Sequence, residues 1–288
     1  MSRASARALE AFARTVRSRR SVIFCYHGVG SLNLAIDPSV LRIDPAVFRT
    51  QVELLLRGGF EFVTVAEFAE HSAGDRPRPG LVALSFDDGM DDNHSHVMPT
   101  LREYGVTATF YVTTGLMGKP NPWLSPDTGA RMMTAEELHD LVAAGFEIGA
   151  HTVTHPDLST LSYDECLREA YDSRMELERL LGISVRTFAY PFCEYGPHAV
   201  AAVRDAGFAA AVTCGAGVGS WSPFELPRSI ISRLDGTSMF ALKLSGLHPP
   251  LFLSRPGRLV RGATRSYRNR RRERREGRRY SEGTRDRG

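Results

Sequence analysis

From Val22 onward the sequence alternates short apolar runs with amphipathic helical segments, and a glycine often stands between a helix and the run that follows it. The order helix, glycine, strand recurs at residues 134–150 and 197–214, and residues 60–65 also have the pattern of a strand. Capping boxes at Thr134 and Ser162 mark two helix starts. Strands that alternate with helices pair in parallel through right-handed crossovers. The sequence therefore predicts an α/β fold in which helices pack outside a parallel sheet.

Length and charge divide the chain into three parts. The chain has 288 residues, of which 42% are hydrophobic, and this is enough for one sizeable core. Residues 1–20 carry 6 arginines and 1 glutamate, and residues 254–288 carry 14 arginines and 4 acidic residues, so an acidic body lies between two basic ends. We expect a basic helical extension over 1–20, one globular domain over 21–248, and a disordered arginine-rich tail over 249–288.

The cysteines and the N-terminal segment are used to predict the cellular compartment of the protein. The 4 cysteines are widely spaced and form no C-x-x-C pair, which favours reduced thiols. Arginines interrupt the N-terminal segment, so it lacks the apolar core of a signal peptide. These features predict a cytoplasmic protein that is peripheral to the membrane at most. The basic ends suit an anionic membrane surface, with packing of the N-terminal helix on the body as the alternative, and specific nucleic-acid binding is not expected.

Polar side chains follow two of the predicted strands. Asp87 and Asp88 follow the apolar run 81–86, and His151 and His155 follow the run that ends at Ala150. In a parallel α/β barrel the carboxyl ends of the strands meet at one face, so these side chains are expected to lie together. One carboxylate and two imidazoles make a three-ligand metal site with an open position for water, and the second carboxylate is left free as a base.

These motifs resemble those of the polysaccharide deacetylase family, the NodB-like domain of carbohydrate esterase family four. The resemblance spans residues 21–247 and rests on the segments 85–89 (SFDDG), 151–155 (HTVTH) and 188–192 (FAYPF). It implies a single distorted (β/α) barrel of about seven strands. It also implies that Asp87 is the general base, that Asp88, His151 and His155 hold a divalent metal ion, with zinc as the expected ion, and that the backbone N–H of Phe192 stabilises the oxyanion.

The third motif departs from the family pattern at two positions. Ala189 stands where many members have an arginine that braces the base. Arg228, ahead of an apolar run, is the candidate for that role, with a surface charge as the alternative. Cys193 stands where glycine is commoner and is expected as a small packed residue, with a soft ligand or an oxidation-sensitive thiol in the pocket as the alternative. We assign the substrate-binding site to Tyr190, Pro191, Phe192 and Arg228.

Two histidines are candidates for the acid that protonates the departing amine. His27 ends the first strand and would face the same rim as the metal site, with a structural histidine as the alternative. His248 ends a segment, Leu244–His248, that superficially matches the family's late Leu-x-x-His motif. Trp123 and Trp221 lie in loop-like segments, where either sugar stacking or loop packing would suit them.

Together these assignments predict a metal-dependent hydrolase that removes the acetyl group of an N-acetylhexosamine in a glycan or in a lipid-linked amino sugar. Two alternatives stay open. One is a catalytically inactive glycan-binding module on the same barrel, and the other is a hydrolase of a non-sugar amide.

Overall fold

The computed structural model describes residues 3–30, 41–72, 76–124, 128–214 and 221–246. The predicted tail and His248 lie outside these residues. All strand pairs in the sheet are parallel. The strands are Val22–Tyr26 (β1), Glu61–Phe62 (β2), Leu81–Phe86 (β3), Thr109–Val112 (β4), Glu147–Ala150 (β5), Thr187–Ala189 (β6), Ala210–Cys214 (β7) and Leu226–Ile230 (β8).

The sheet closes into a barrel because β1 pairs with β8 on one side and with β3 on the other. The closed ring has 7 strands in the order β1-β8-β7-β6-β5-β4-β3. This confirms the predicted (β/α) barrel. The short strand β2 pairs with the first two residues of β3.

Helices connect the strands and cover the barrel. They are Arg3–Arg17 (α1), Pro45–Gly58 (α2), Val65–Glu70 (α3), Met98–Tyr104 (α4), Ala135–Ala143 (α5), Tyr163–Leu181 (α6), Pro197–Asp205 (α7) and Thr237–Ser245 (α8). The capping boxes predicted at Thr134 and Ser162 are both present, and Gly182 ends α6 in the left-handed conformation.

The strand predicted over residues 60–65 is wrong beyond Phe62. Thr64 instead starts α3 through a third capping box, in which its hydroxyl accepts from the Glu67 amide and the Glu67 carboxylate accepts from the Thr64 amide. The apolar residues Val63 and Val65 are buried among the side chains of the barrel interior. Their hydrophobicity therefore reflects packing inside the barrel and not a longer strand.

The alternation of side chains along the strands separates two cores. On β1 and β3, the side chains of Phe24, Tyr26, Leu84 and Phe86 face the helices and belong to the larger core. Ile23 and Ala83 face the barrel interior and belong to the smaller one. Because the side-chain period of a strand is two, the polar residues at the inward positions near the strand ends are directed into the mouth of the barrel.

Helix α1 packs against the body of the protein. Ala13 and Val16 are buried in the larger core, and Glu10 forms an ion pair of 2.9 Å with Arg57 on α2. The apolar side of this basic helix therefore faces protein. None of the helices in the described ranges combines the length and apolar character that crossing a bilayer requires.

The buried position of Ala13 predicts that a larger side chain there destabilises the protein. Ala13 lies against Gly58 of α2, where a methyl group on the glycine would be 2.9 Å from the Ala13 Cβ. We expect Ala13→Leu to lower the free energy of unfolding by about 1–3 kcal/mol through overpacking. Thermal or urea unfolding measures this. Ala11→Leu, the same change at an exposed position of the same helix, is the control, and equal stability of the two variants would contradict the docking of α1.

Candidate active site

One carboxylate and two imidazoles converge at the carboxyl end of the barrel. Asp88 follows β3, and His151 and His155 follow β5. Oδ1 of Asp88 lies 3.5 Å from Nε2 of His151 and 3.3 Å from Nε2 of His155, and the three side chains are at most 9% exposed. The structure thus brings together the three residues predicted as metal ligands.

The spacing of these atoms fits a metal ion. In a tetrahedral site with bonds of about 2.0–2.1 Å, neighbouring ligand atoms lie roughly 3.3 Å apart. Nδ1 of His151 lies 2.7 Å from the carbonyl oxygen of Ala189, so Nδ1 donates a hydrogen bond there and Nε2 is the ring nitrogen that faces Asp88. Two imidazole nitrogens and one carboxylate oxygen suit zinc and neighbouring divalent transition metals.

The electrostatics keep Asp88 in the form that binds a cation. Burial by itself raises the pKa of Asp88, but hydrogen bonds with His151 and His155 outweigh it, and the net pKa lies well below the usual range. The side chain is therefore an ionised carboxylate at neutral pH.

Left-handed backbone conformations are concentrated at this site. In the described ranges, 5 residues other than glycine have a positive φ, from +57° to +76°, and they are Asp88, Thr152, His155, Phe192 and Cys193. Such a conformation costs roughly 1–2 kcal/mol per residue and persists only where the surrounding structure fixes it. If the alternation of β3 continued through Asp88, this side chain would point away from the barrel mouth. The left-handed backbone of Asp88 turns its carboxylate toward the histidines instead.

Asp87 points into the barrel mouth and pairs with Arg228. Its Oδ1 lies 2.6 Å from Nη1 and its Oδ2 lies 2.7 Å from Nη2 of the guanidinium, and both side chains are buried. Burial by itself raises the pKa of Asp87, but the positive charge of Arg228 outweighs it and the net pKa lies below the usual range. Asp87 is therefore ionised, and it lies beside the three-residue cluster without being part of it.

Cys25 is a further contact of this carboxylate that the sequence analysis did not single out. Its Sγ donates to Oδ2 of Asp87 at 3.4 Å. Burial raises the pKa of Cys25 well above its usual value, so the side chain is a neutral thiol that can donate. The alternation along β1, in which Ile23 faces the barrel interior, is the signal that could have found it.

Arg228 supplies the guanidinium that is missing at position 189. Ala189 lies in the barrel interior, and its small side chain leaves the space beside Asp87 to an arginine from β8. Arg228 is 1% exposed, which rules out the surface charge considered above. It also donates to Ser85, and its guanidinium carbon lies 5.6 Å from the centre of the Tyr111 ring.

The burial of three side chains corrects the predicted substrate-binding set. Arg228 contacts Asp87 and has no exposed surface for a sugar. Tyr190 and Pro191 are also buried, and the Tyr190 hydroxyl donates to the carbonyl of Phe224 at 3.0 Å. Phe192 is the half-buried residue of this turn, with its ring 4.5 Å from the ring of His155. Among the described residues no acceptor is recorded for the Phe192 amide, which leaves its N–H available to a ligand.

His27 lies on the Asp87 side of the site. One of its ring nitrogens lies within 4.8 Å of both a carboxylate oxygen of Asp87 and Sγ of Cys25. Its Nδ1 is buried, and no hydrogen-bond partner for it is found in the described ranges. The structure thus places His27 beside Asp87 and Cys25.

The two tryptophans have different surroundings. The ring of Trp123 lies 4.9 Å from that of His155, so this loop residue forms one wall of the site. Trp221 packs instead on Phe68 at 6.4 Å, among residues of the barrel interior. Sugar stacking therefore stays open for Trp123, and loop packing describes Trp221.

Comparison with known proteins assigns this architecture to a family. The sequence profile for polysaccharide deacetylase matches residues 74–211, which include Asp87, Asp88 and both histidines of the cluster. The chain belongs to the polysaccharide deacetylase family. As a member, it is a hydrolase of carbon–nitrogen bonds other than peptide bonds.

Individual relatives agree with this assignment. The putative polysaccharide deacetylase YxkH of Bacillus subtilis is 24% identical over 211 residues, which cover 73% of this chain and 70% of that protein. The chitin deacetylase of Colletotrichum lindemuthianum is 30% identical over 121 residues, which cover 41% of this chain and 45% of that protein. The structure of the Streptococcus pyogenes deacetylase PplD in complex with acetate shares the fold, with a TM-score of 0.64, 24% identity and coverage of 79% of this chain and 98% of that one.

The cysteines of this deacetylase-family chain depart from the expectation of reduced thiols. Cys193 and Cys214 form a disulfide with a Cα–Cα distance of 5.5 Å, whereas Cys25 and Cys166 are free and buried. The expectation is therefore wrong for the first pair. Strands β6 and β7 are neighbours in the barrel, so the turn after β6 and the end of β7 lie side by side and bring the two cysteines together.

The pairing of Arg228 with Asp87 predicts a large stability effect. Arg228→Met removes the cation and leaves a buried carboxylate without a charged partner, so we expect a loss of about 3–5 kcal/mol in the free energy of unfolding. Arg186→Met is the control, because Arg186 forms an exposed ion pair with Glu70, for which a loss of about 0–1 kcal/mol is expected. Equal losses in urea unfolding would show that the buried pair has no special role.

The disulfide predicts a thiol count. Protein purified without reductant and then unfolded should show 2 reactive thiols, from Cys25 and Cys166, and all four after reduction. We expect reduction to lower the stability by about 3 kcal/mol, because the bond closes a loop between residues that are 21 apart in sequence. A count of four in the unreduced protein would contradict the pairing. Cys193→Ser, which frees Cys214, should give three.

Proposed function

We propose that this protein is a metal-dependent deacetylase that hydrolyses the N-acetyl group of an N-acetylhexosamine in a glycan or in a lipid-linked amino sugar. The observation that carries the proposal is an ionised carboxylate, Asp87, outside a cluster of one carboxylate and two imidazoles but directly beside it. This division between ligand and base is what amide hydrolysis assisted by a metal requires.

Asp88, His151 and His155 would hold the ion, and we propose zinc. When bound, the ion would polarise the acetyl carbonyl and lower the pKa of a water molecule toward neutrality. His151 is already oriented as a ligand, because its Nδ1 donates a hydrogen bond to the carbonyl of Ala189. Second-shell hydrogen bonds of this kind fix the tautomer and direction of a ligating imidazole.

Asp87 acts as the general base. Arg228 and Cys25 hold its carboxylate from within the barrel, so its rotamer is fixed before substrate arrives. Because its pKa lies below the usual range, Asp87 is ionised at neutral pH, and it is in this form that a carboxylate can accept the proton of the attacking water.

Phe192 and His27 complete the reaction in this proposal. The Phe192 N–H donates to the oxygen that becomes negatively charged as the acetyl carbon turns tetrahedral. His27 gives a proton to the amine nitrogen as the C–N bond breaks, which leaves acetate and a free amino sugar. Its position near Asp87 supports this role, and the other candidate, His248, lies outside the described residues.

The substrate class follows from the relatives and from the walls of the site. The similar protein from Colletotrichum lindemuthianum is named for chitin. The aromatic rings of Trp123 and Phe192 flank His155 and offer apolar faces to a sugar ring. The paired base and the complete ligand cluster weigh against the alternative of an inactive glycan-binding module.

The cytoplasmic location stays a prediction. The disulfide between Cys193 and Cys214 favours an oxidising compartment. The apolar side of α1 packs against the body, so any contact of this helix with an anionic membrane would rest on its arginines, and the arginine-rich tail lies outside the described residues. The compartment can be tested by alkylating the free thiols of the protein at the moment of cell lysis. The thiol count then reports the oxidation state that Cys193 and Cys214 had in the cell.

The decisive experiment is a deacetylation assay with N-acetylglucosamine oligomers and lipid-linked N-acetyl sugars. Zinc-loaded protein should release acetate, and removal of the metal should abolish release. Asp87→Asn should lower kcat by about 10²–10⁴-fold, because general-base catalysis is lost, while zinc binding is retained. Zinc-loaded protein that binds these sugars without releasing acetate would overturn the proposal in favour of a binding module, and faster release from acyclic amides would favour the non-sugar alternative.

A further inference from the structure

Glu169 on α6 contacts the loop that carries His155. Its Oε2 accepts the backbone N–H of Val153 at 2.8 Å and that of Thr154 at 2.9 Å. Its Oε1 accepts the Thr154 hydroxyl at 2.6 Å. One carboxylate therefore receives three hydrogen bonds from two consecutive residues between the two histidines.

This loop needs such support because its backbone is unfavourable. Thr152 and His155 have φ values of +67° and +58°, and left-handed backbone is especially unfavourable for a β-branched residue such as Thr152. The tight turn aims the Val153 and Thr154 amides in one direction, and consecutive amides arranged in this way form a concavity that binds an anion. In this protein the anion is the side chain of Glu169.

The other side of the loop is held by the segment after β4. The amides of Thr114 and Gly115 donate to the carbonyls of Thr152 and Val153 at 3.1 and 2.9 Å. The approach is so close that a methyl group on Gly115 would lie 2.5 Å from the Val153 carbonyl oxygen. These contacts satisfy the carbonyl groups of Thr152 and Val153, while the amides of Val153 and Thr154 donate to Glu169 and the amide of His155 donates to the Thr152 hydroxyl.

We propose that Glu169 is a positioning residue for the metal site, and that it holds residues 152–155 in the conformation that directs His155 toward Asp88. This inference rests on the proposed function, since it takes Asp88, His151 and His155 as metal ligands. Glu169 itself contacts neither the ion nor the substrate. Glu169 instead fixes the geometry of the three ligands before the ion binds, and it thereby raises their affinity for the ion.

The test is a measurement of metal affinity. Glu169→Ala leaves both amides without their acceptor, and we expect its zinc affinity, measured by competition with a chromophoric chelator, to fall by about 10–100-fold. The absorption spectrum of the cobalt-substituted protein should change as well, because it reports the ligand geometry. Glu169→Gln keeps an oxygen that can accept both amides, so we expect it to recover most of the affinity.

Asp172→Ala is the matched control. Asp172 lies less than one turn further along α6, is exposed, and borders the same surface groove as Glu169. It should bind zinc as the wild type does. If Glu169→Ala does not fold, Glu169→Asp carries the test, because its shortened carboxylate cannot reach both amides and should weaken zinc binding.

The outcomes separate this inference from the proposed function. A wild-type protein that binds no zinc would overturn the proposed metal site. Wild-type affinity in a folded Glu169→Ala or Glu169→Asp variant would overturn only the role of Glu169. A loss in Glu169→Gln as large as that in Glu169→Ala would also contradict the inference, because the acceptor geometry would then be irrelevant.

Discussion

The ion pair between Asp87 and Arg228 is the interaction on which the active site depends. A carboxylate at the top of an apolar barrel interior is costly unless a cation accompanies it. Arg228 provides this cation from inside the barrel, and its Nη1 and Nη2 donate hydrogen bonds to the two carboxylate oxygens of Asp87. Arg228 occupies the side of Asp87 that faces the barrel interior, and it keeps this carboxylate ionised and apart from the candidate metal cluster of Asp88, His151 and His155. It also joins β3 to β8 across the intervening β1.

Two adjacent carboxylates thus acquire different roles from their surroundings alone. Asp87 continues the alternation of β3 into the barrel and meets a guanidinium and a thiol. Asp88 takes a left-handed conformation and meets two imidazoles instead. When two identical side chains have different surroundings, their chemical roles can be assigned from those surroundings. The sequence Asp-Asp-Gly suits this division, since Gly89 also takes a positive φ and completes the turn.

The parts of the molecule that were predictable from sequence are those set by local periodicity. Alternating strand and helix patterns predict a parallel sheet with helices outside it, and the family resemblance adds its closure into a barrel. The carboxyl ends of the strands share one face of such a barrel, which was enough to predict that His151 lies near Asp88. The role of Arg228 beside Asp87 was expected from the family resemblance and not from periodicity. The partner of Cys193 depends on which strands become neighbours when the barrel closes, and periodicity does not contain that information. Trp123 lies in a long loop without periodicity, so only the folded chain shows that it borders the site.

The cysteine at position 193 shows how a local replacement is accommodated. Phe192 and Cys193 both take left-handed backbone, which a glycine would adopt without cost at the second position. The hydrogen bond from the Cys193 amide to the Tyr190 carbonyl and the disulfide to Cys214 hold the turn in that conformation. The disulfide to β7 therefore helps to hold a residue other than glycine in this conformation. A reducing environment would leave the turn with its hydrogen bonds alone, and the position of the Phe192 amide, the oxyanion donor of the proposed mechanism, would then rest on those bonds.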